Sequence, residues 1–592
     1  MKQLSWLMGG PAGAGIKISG LILSKTFSRL GLNVFGYTEY PSLARGGHNT
    51  FAINASPTAK SVKKEIDILI ALDKKTMEYH KNELKETGLV IYDSDTIELE
   101  TPSANYIGVP FDSIAKECGT VLAKNTVALG ATIALIRIPF ENLSAAITSE
   151  FSHKEKVIQV NIDAAQKGFD FIKDKAIQLD QLEYPSNPTK KMLMTGNDAI
   201  AVGAIQAGCK FYSAYPMTPA SNILHYLANK ARDFDIIVKQ TEDEIASINV
   251  AIGSSFAGVR SMTATSGGGF CLMTEGLGLA AVTETPLVIV NGMRPGPSTG
   301  VPTWTEQSDL DFVRHASHGE FPRVVIAPGD IEESFYETVN AFNIADIYQL
   351  PVIILTDKLV CESHLTSKDF DLSKTSINRG LLESDLSNYD TAHIGKRHLF
   401  TETGVSPRWN PGTKGGMFTT AGNEHDEFGQ VDDTTDNRIK MMDKRFKKLK
   451  SLENIIPLPQ IYGDSDAVIS LVCWGSGKLS CLDALELLEK EGISANIIHF
   501  KYLIPFPNKE KTINLLNNQK QLLLIENNFT AQLGSLIKEN LLLDIPNKLL
   551  KYDGRPFYPS EIVKKVKELT KINPKSLDNF QDPKNSEEEH TK

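Results

Sequence analysis

Short apolar runs alternate with helical patterns along most of the chain, which predicts an α/β fold. In residues 211–300, four apolar runs each end in a polar or glycine-rich turn: YPMTP at 215–219, QTEDE at 240–244, TSGGG at 265–269 and NGMRPGPSTG at 291–300. Loops that leave the carboxyl ends of parallel strands share one edge of the sheet, where ligands bind. The pattern therefore predicts one pocket, although four ordinary loops are the alternative. Its predicted lining is Thr218, Glu244, Gly267, Gly268, Gly269 and Arg294.

The start of the chain has its own glycine turn. An apolar run at 4–8 is followed by GGPAGAG at 9–15, a helical pattern at 16–30 and a second apolar run at 34–37, which predicts a βαβ unit. Gly10, Gly13 and Gly15 would let the backbone approach a phosphate at the helix N-terminus. Their spacing is not the GxGxxG of dinucleotide-binding folds, so a nicotinamide site has little support. Tight helix–strand packing without a ligand is the alternative.

Changes in pattern divide the chain into several parts, since 592 residues are too many for a single core. Periodicity fades from 365 to 456, where the low charge density and the aromatic residues favour an ordered interface over disorder. The predicted division is an α/β domain at 1–180, a linker at 181–192, a doubly wound parallel-sheet domain at 193–364, a loop or interface segment at 365–456, a smaller α/β domain at 457–572 and a disordered tail at 573–592.

Composition excludes several classes of protein. The net charge of -10 gives no electrostatic support to nucleic-acid binding. No apolar run approaches the roughly 20 residues that span a bilayer, and the N-terminal glycines interrupt any signal-peptide core, so we expect a cytoplasmic protein that does not bind membranes. The six cysteines include no CxxC pair, which favours buried thiols. No metal site is therefore predicted from local ligand clusters.

The residues of the middle turns suggest what their pocket binds. Glu244 stands at the head of a helix, where the helix dipole favours a carboxylate. Thr218 offers a hydroxyl between two prolines, and Arg294 lies in a Pro/Gly-rich loop that suits a bidentate contact with a carboxylate. Each residue alone is typical of a turn or a first helical turn. Together they predict a site for a small anionic substrate with one acid beside it.

Several motifs combine in the order of a known family. YPMTP, QTEDEIASINVAIGSSFAG, TATSGGGF and MRPGPSTG strongly resemble the α subunit of 2-oxoacid:ferredoxin oxidoreductases. ETGVSP, EHDEFG and IENNFTAQLGSLI resemble the members that act on 2-oxoglutarate, and GGPAGAGIKISG with YPSLARGGHN resembles the γ subunit, here fused ahead of α. The resemblance covers nearly all of the chain except the tail. It implies a γ-type domain, a thiamine pyrimidine-binding domain and a transketolase C-terminal-like domain.

The resemblance also implies a reaction and its cofactors. Such enzymes use thiamine diphosphate, iron–sulfur clusters and coenzyme A to convert a 2-oxoacid into an acyl-CoA and CO2, and they reduce ferredoxin. Glu244 matches the glutamate that activates thiamine by bonding a pyrimidine ring nitrogen, with Glu242 as the neighbouring alternative. The expected cofactor-binding residues are Tyr215, Pro216, Glu244, Gly267, Gly268 and Gly269, together with Gly10, Gly13 and Gly15 of the first turn.

The same resemblance assigns the substrate contacts. Thr218 is expected near the 2-oxo-carboxylate, and Arg294 is expected to pair with a carboxylate. Arg45 and Lys124 stand where relatives that take 2-oxoglutarate place cations against its distal carboxylate, although relatives carry lysine at the position of Arg45. This makes 2-oxoglutarate the first choice of substrate, with branched-chain 2-oxoacids and pyruvate left open.

Other features of the family are missing from the sequence. Thiamine enzymes hold the diphosphate through Mg²⁺ and a GDG segment, which neither 329–330 nor the YDG at 552–554 matches, and there are no cluster cysteines. The diphosphate half, Mg²⁺ and a cluster are therefore expected from a separate β subunit, in an αβ pair or in two such pairs. The alternatives of another class are a nicotinamide-dependent dehydrogenase and a scaffold without catalytic activity.

Overall fold

The computed structural model describes residues 1–41, 46–99, 103–175, 179–387 and 389–570. Within these residues the chain forms three β-sheets with helices packed against them, which is the α/β class that the sequence predicts. Arg45 and the tail at 573–592 lie outside the described residues. No helix in the described part of the chain is long and apolar enough to span a membrane.

The first 175 residues supply six strands and six α-helices of the described structure. The strands are β1 (Leu4–Pro11), β2 (Asn33–Glu39), β3 (His48–Ser56), β4 (Ile66–Ala71), β5 (Leu84–Asp93) and β6 (Tyr106–Val109). The helices are α1 (Ile16–Arg29), α2 (Lys74–His80), α3 (Phe111–Glu117), α4 (Lys124–Leu135), α5 (Phe140–Glu150) and α6 (Glu155–Asp174). A 3-10 turn at Val121–Ala123 leads into α4.

The opening unit differs from the predicted βαβ. Strand β3 lies between β1 and β2 and runs antiparallel to both, so β1 and β2 are parallel but not neighbours. The chain turns back after β2, and β3 then pairs along nearly its whole length with both strands. Apolar periodicity predicts each strand, but it carries no information on which strands become neighbours.

The middle part of the chain begins and ends in a short strand. Its strands are β7 (Met192–Met194), β8 (Phe211–Ala214), β9 (Ile237–Gln240), β10 (Ser261–Thr265), β11 (Leu287–Met293), β12 (Val324–Ile326), β13 (Pro351–Asp357) and β14 (His364–Ser367). Its helices are α7 (Gly196–Gln206), α8 (Ser221–Lys230), α9 (Glu244–Phe256), α10 (Gly267–Val282), α11 (Leu310–His315), α12 (Ile331–Tyr348) and α13 (Lys358–Glu362).

The remaining elements follow a long segment of little regular structure. That segment holds a 3-10 turn at Leu372–Lys374 and the helix α14 (Thr435–Glu453). The strands after it are β15 (Gln460–Gly463), β16 (Ile469–Trp474), β17 (Ala495–Phe500), β18 (Tyr502–Ile504), β19 (Leu522–Glu526) and β20 (Lys548–Leu550). The helices are α15 (Gly477–Lys490), α16 (Lys509–Asn517), α17 (Gln532–Leu541) and α18 (Pro559–Thr570).

The middle sheet positions the candidate site. In the described residues its strand order is β18-β12-β13-β11-β10-β8-β9, and neighbouring strands are parallel except for the antiparallel edge strand β18. Strands β10, β11, β12 and β13 are buried along their whole length, as expected for a parallel sheet covered on both faces. The turns after β8, β9, β10 and β11 therefore leave from one edge of the sheet.

The parts of the chain share strands. Strands β7 and β14 extend the N-terminal sheet, whose order in the described residues is β6-β5-β4-β1-β3-β2-β14-β7. Strand β18 of the C-terminal part likewise pairs with β12 in the middle sheet. The C-terminal sheet itself has the order β15-β17-β16-β19-β20 in the described residues. These shared strands fix the position of the middle sheet relative to its neighbours.

Candidate active site

Glu244 is the buried acid at the carboxyl edge of the middle sheet. Asp243 caps α9 by accepting a hydrogen bond from the backbone N of Ala246 at 2.7 Å, which places Glu244 in the first helical turn. The residue is only 3% exposed, and its Oε1 has no hydrogen-bond partner among the described residues. Burial raises the pKa of Glu244, and the cation of Arg294 partly opposes this rise. Burial therefore favours the protonated form of this carboxyl group over the carboxylate.

Gly269 makes room for this carboxyl group. A Cβ atom at position 269 would lie 2.5 Å from Glu244 Oε1 and 2.1 Å from Thr265 Oγ1. Only glycine lets the first turn of α10 approach Glu244 so closely. At Gly267 a Cβ atom would lie 2.5 Å from Asp309 Oδ2, whereas the nearest atom at Gly268 is 3.9 Å away. Two of the three glycines therefore accommodate acidic side chains.

Arg294 connects the first and the last of the four turns. Its Nη1 donates a hydrogen bond to the backbone O of Thr218 at 2.8 Å. Burial lowers the pKa of Arg294, and the carboxylates of Asp309 and Glu244 oppose this shift. The guanidinium group is thus a half-buried cation that both acids face.

Tyr215 and Pro216 precede Thr218 in the same turn. Tyr215 is exposed and Pro216 is partly buried, so both lie toward the outer rim of this edge. Between them and Thr218, Met217 reaches inward, and Thr265 Oγ1 lies 3.9 Å from its Sδ. The YPMTP and TSGGG turns are therefore in contact.

The structure adds three residues that the sequence pattern does not single out. Asp309 Oδ2 accepts a hydrogen bond from Asn291 Nδ2 at 3.2 Å, and burial raises the pKa of Asp309 to about 6. Ser266 Oγ and Asn291 Oδ1 are buried and have no hydrogen-bond partner in the described part of the chain. Ser266 and Asn291 belong to the predicted turns, but Asp309 lies beyond them and no local pattern points to it.

The unpartnered atoms indicate what this edge can bind. Residues Thr265 and Asn291 are directly paired across β10 and β11, so the orphan atoms of Ser266 and Asn291 come from neighbouring strand ends. Buried polar groups nearly always find a partner. With Glu244 Oε1, they fit a heterocycle that carries ring nitrogens and an amino group, such as the pyrimidine of thiamine. Arg294 fits a small carboxylate beside it.

The glycine turn at 9–15 forms a second group with Lys124. Gly13 and Gly15 have φ values of 84° and 77°, which only glycine adopts without strain. Asn125 Nδ2 donates to the backbone O of Ala14 at 2.5 Å, and Lys124 Nζ lies 3.2 Å from Asp112 Oδ1. The head of α4 therefore lies beside the turn.

Gly10 stands apart from this turn, because it is the seventh residue of β1. A Cβ atom there would lie 2.9 Å from Leu72 Cβ. Close packing against Leu72 is therefore enough to account for this glycine.

The described ends of the segment 40–47 contact both groups. Ala12 N donates to Gly47 O at 2.9 Å, so the segment touches the glycine turn at its far end. At its near end, Thr303 Oγ1 donates to Pro41 O at 3.5 Å, in the loop that follows Arg294. Arg45 lies between these contacts in sequence, but it is outside the described residues.

In the part of the chain that the structure describes, no group of three or more His, Cys, Asp or Glu side chains could hold a metal ion.

Comparisons with known proteins define the class of this chain. Residues 202–444 match the family described as pyruvate flavodoxin/ferredoxin oxidoreductase, thiamine diphosphate-binding. Residues 5–171 match the family described as pyruvate ferredoxin/flavodoxin oxidoreductase. The fold and the matched families therefore define an oxidoreductase with a thiamine diphosphate-binding domain.

Similar individual proteins identify the family more specifically. A 2-oxoacid:ferredoxin oxidoreductase subunit alpha from Saccharolobus solfataricus is 33% identical over 627 residues, covering 95% of this chain and 97% of the relative. The 2-oxoglutarate synthase subunit KorA of Archaeoglobus fulgidus is 35% identical over 347 residues, which cover 59% of this chain and 90% of the relative.

A solved structure matches over the whole length. The 2-oxoglutarate:ferredoxin oxidoreductase from Magnetococcus marinus, with 2-oxoglutarate, coenzyme A and succinyl-CoA bound, superposes with a TM-score of 0.88 at 32% identity, covering 96% of this chain and 99% of that one. The chain belongs to the 2-oxoacid:ferredoxin oxidoreductase family, as an α subunit. The predicted membership is confirmed.

Proposed function

We propose that this α subunit, with its fused γ-type segment, oxidises 2-oxoglutarate with coenzyme A to succinyl-CoA and CO2 and reduces ferredoxin. The observation that carries the proposal is the buried Oε1 of Glu244, which lies against Gly269 and near Arg294 and has no hydrogen-bond partner among the described residues. The choice of 2-oxoglutarate is supported by the ligands bound in the Magnetococcus marinus structure and by the name of the Archaeoglobus fulgidus relative. Branched-chain 2-oxoacids and pyruvate are the alternative substrates.

Glu244 is assigned to the proton on the cofactor ring. Thiamine diphosphate, when bound, supplies the nucleophilic carbon and the electron sink for decarboxylation. Glu244 Oε1 would share a proton with a nitrogen of the pyrimidine ring, and burial, which raises the pKa of Glu244, favours the protonated carboxyl group in that contact. Burial also excludes water from this hydrogen bond, which strengthens it.

Arg294 and Thr218 are assigned to the substrate. One N–H of the Arg294 guanidinium group donates to Thr218 O, which fixes the plane of the guanidinium group. The remaining N–H groups bind the carboxylate next to the 2-oxo group, since arginine matches carboxylate geometry. The Thr218 hydroxyl hydrogen-bonds the same end of the substrate. Tyr215, Pro216 and Gly267–Gly269 line the cofactor side.

The γ-type segment is assigned to the remaining ligand groups. Gly13 and Gly15 open the backbone at the N-terminus of α1 for a phosphate-bearing ligand such as coenzyme A. Lys124 and Arg45 take the distal carboxylate of 2-oxoglutarate. Lys124→Met and Arg45→Ala are therefore expected to raise KM for 2-oxoglutarate more than KM for pyruvate. An equal rise in KM for both substrates would contradict this assignment.

We assign the diphosphate half of the site, with Mg²⁺ and an iron–sulfur cluster, to a separate β subunit in an αβ pair or in two such pairs. Helices α9 and α10 expose four apolar side chains, each between 37% and 50% exposed: Ile245 next to Glu244, Val250 and Phe256 further along α9, and Leu272 in α10. Apolar surface of this kind is typical of a subunit interface. A partner on this face would complete the site next to the Glu244 side chain.

The test is reconstitution with the partner. The chain and its β subunit are purified separately and together, and reduction of ferredoxin or of a viologen dye is followed with 2-oxoglutarate, pyruvate and branched-chain 2-oxoacids. We expect no turnover by the chain alone, and the highest kcat/KM for 2-oxoglutarate in the complex. Turnover by the chain alone contradicts the shared site, and a complex without activity on any 2-oxoacid favours the scaffold.

The role of Glu244 is tested in the same complex. Glu244→Gln is expected to lower kcat by about 10²- to 10⁴-fold, the usual contribution of a positioned acid–base group. Glu242→Gln is the matched control, because Glu242 is exposed one residue before the helix cap. If Glu242→Gln carries the loss instead, the catalytic role moves to Glu242.

A further inference from the structure

A cavity of about 640 Å³ lies between three parts of the chain. Its walls include Asn33 and Val34 at the start of β2, Leu365 in β14 and Leu479 in α15. The glycine turn follows the carboxyl end of β1, and β1 and β2 are parallel. The cavity therefore lies at the opposite, amino-terminal edge of the N-terminal sheet, away from the glycine turn.

Four lysines line this cavity: Lys60, Lys191, Lys368 and Lys374. The described residues place no carboxylate oxygen within 4.0 Å of their ammonium groups, and the first three surround one space. Lys191 is held in place, because its Nζ donates to Asn33 Oδ1 at 2.5 Å and its backbone O accepts from Ser28 Oγ at 3.1 Å. Burial, and then the charges of Lys60 and Lys368, lower the pKa of Lys191. The three cations thus repel one another around a shared space.

Four carboxylates also line the cavity, and none of them forms an ion pair with its lysines in the described residues. Asp330 is paired with Lys478 Nζ at 2.6 Å. Asp371 caps a 3-10 turn by accepting from Ser373 N at 3.1 Å. The other lining acids, Glu332 and Asp369, are exposed, as are Lys368 and Lys374. Lys60 and Lys191 are therefore the half-buried cations of the cavity, and no described residue forms an ion pair with either.

Part of the remaining lining is apolar or aromatic: Val34, Leu365, Leu479 and Tyr336. Thr366 and Ser367 add hydroxyl groups to it. The volume falls within the range of about 300–1,000 Å³ that is usual for small-molecule sites. The cavity thus combines an apolar wall with a cluster of cations, which is the chemistry of a site for an organic anion.

We propose that this cavity binds a small organic phosphate of the nucleotide type. Its phosphate groups contact Lys60, Lys191 and Lys368, since lysine ammonium groups bind phosphate as point charges. Its ring packs on Leu365, Leu479 and Tyr336. Because the walls come from the N-terminal, middle and C-terminal parts, such a ligand stabilises their arrangement against unfolding.

The experiment uses the purified full chain and ADP as the probe. Calorimetric titration at low salt is expected to show saturable binding of ADP, and clearly weaker binding of adenosine, which lacks the phosphates. Lys191→Met is expected to weaken ADP binding at least about tenfold, or roughly 1.4 kcal/mol. Lys116→Met is the matched control, because Lys116 is an exposed lysine of α3 outside the cavity, and it should leave binding unchanged.

Two further variants distinguish binding in this cavity from binding at the phosphate site proposed for the glycine turn. Lys60→Met changes a second lysine of the cavity and is expected to weaken ADP binding as Lys191→Met does. Thermal unfolding of each variant without ligand shows that it folds. The proposal is overturned if ADP shows no saturable binding at millimolar concentration. It is also overturned if Lys124→Met abolishes binding while Lys191→Met and Lys60→Met retain it.

Discussion

Glu244 and Gly269 depend on each other for their positions. A methyl group at 269 would overlap both Thr265 Oγ1 and Glu244 Oε1, and neither strand β10 nor helix α9 can move without disturbing the core. We expect Gly269→Ala to displace the Glu244 carboxyl group and to lower kcat of the reconstituted enzyme about 10²-fold, the cost of a misplacement near 1 Å.

The control for this prediction is Gly253→Ala in α9, where a Cβ atom meets no atom within 4 Å. Alanine there should keep activity and add about 0.5–1 kcal/mol to the free energy of unfolding, because glycine is unfavourable inside a helix. Equal turnover by the two variants would contradict the close contact between Gly269 and Glu244.

Asp309 makes the stability of the fold depend on pH. Burial raises its pKa to about 6 in the folded chain, whereas an unperturbed aspartate titrates at about 3.9. Between these values the folded state binds the extra proton, so this contribution to stability is present at low pH and is lost as pH rises through 6.

The variant Asp309→Asn tests this effect. Relative to the wild type, it should gain free energy of unfolding as pH rises from about 4, and the gain should level off above about pH 7. Urea unfolding at several pH values measures the difference. A difference that does not change with pH would show that Asp309 titrates normally.

At the scale of elements, one buried acid holds the long segment at 365–456 against the middle sheet. Glu284 follows α10 and is fully buried. Its Oε1 accepts from Lys444 Nζ at 2.6 Å and lies 2.9 Å from His398 Nδ1, and its Oε2 is paired with Lys448. Burial alone would raise the pKa of Glu284, but the two ammonium groups outweigh it and hold that pKa well below its ordinary value.

Removing this carboxylate should destabilise the protein strongly. Glu284→Gln leaves Lys444 and Lys448 buried without a counter-charge, which typically costs about 3–5 kcal/mol. The control Glu539→Gln removes an acid that is 62% exposed in its pair with Arg314, and it should cost less than about 1 kcal/mol. Urea unfolding gives both values. Similar losses for the two variants would mean that the Glu284 network is not a buried anchor.

At the scale of the whole molecule, a single aspartate fastens the N-terminal sheet to the C-terminal part. Asp483 in α15 accepts from Ser61 N at 2.9 Å, from Ser61 Oγ at 2.7 Å and from Lys60 N at 3.1 Å. Three donors just beyond β3 therefore depend on a residue more than 400 positions later. The contact couples the two parts, which makes their unfolding cooperative.

Asp483→Ala should leave these donors buried without an acceptor, at a cost of about 1–3 kcal/mol. Glu486→Ala is the matched control, because Glu486 lies on the same face of α15 and makes one exposed contact with Thr58 Oγ1 at 2.8 Å. Thermal unfolding should show a lower transition for Asp483→Ala than for Glu486→Ala. Identical transitions would show that this contact does not couple the two parts.

The division of the chain into parts is proposed with the boundaries predicted from the sequence. The shared strands β7 and β14 lie at the two ends of the middle part, yet both pair in the N-terminal sheet. The apolar runs identified in the sequence include neither of these two short strands, and periodicity carries no information on this exchange. Pairing depends on which edges are free once the separate parts have folded.

The sequence alone determined the α/β class, the four turns after the middle strands and, through its motifs, the family. These features are local, since they rest on apolar periodicity, glycines and short motifs that are read without knowledge of distant neighbours. The tertiary structure alone decided that Asp309 stands beside Arg294 and Asn291, that β3 separates β1 from β2, and that Glu284 holds Lys444 and Lys448. Each of these depends on side chains or strands that meet only when the chain is packed, so no local pattern encodes them.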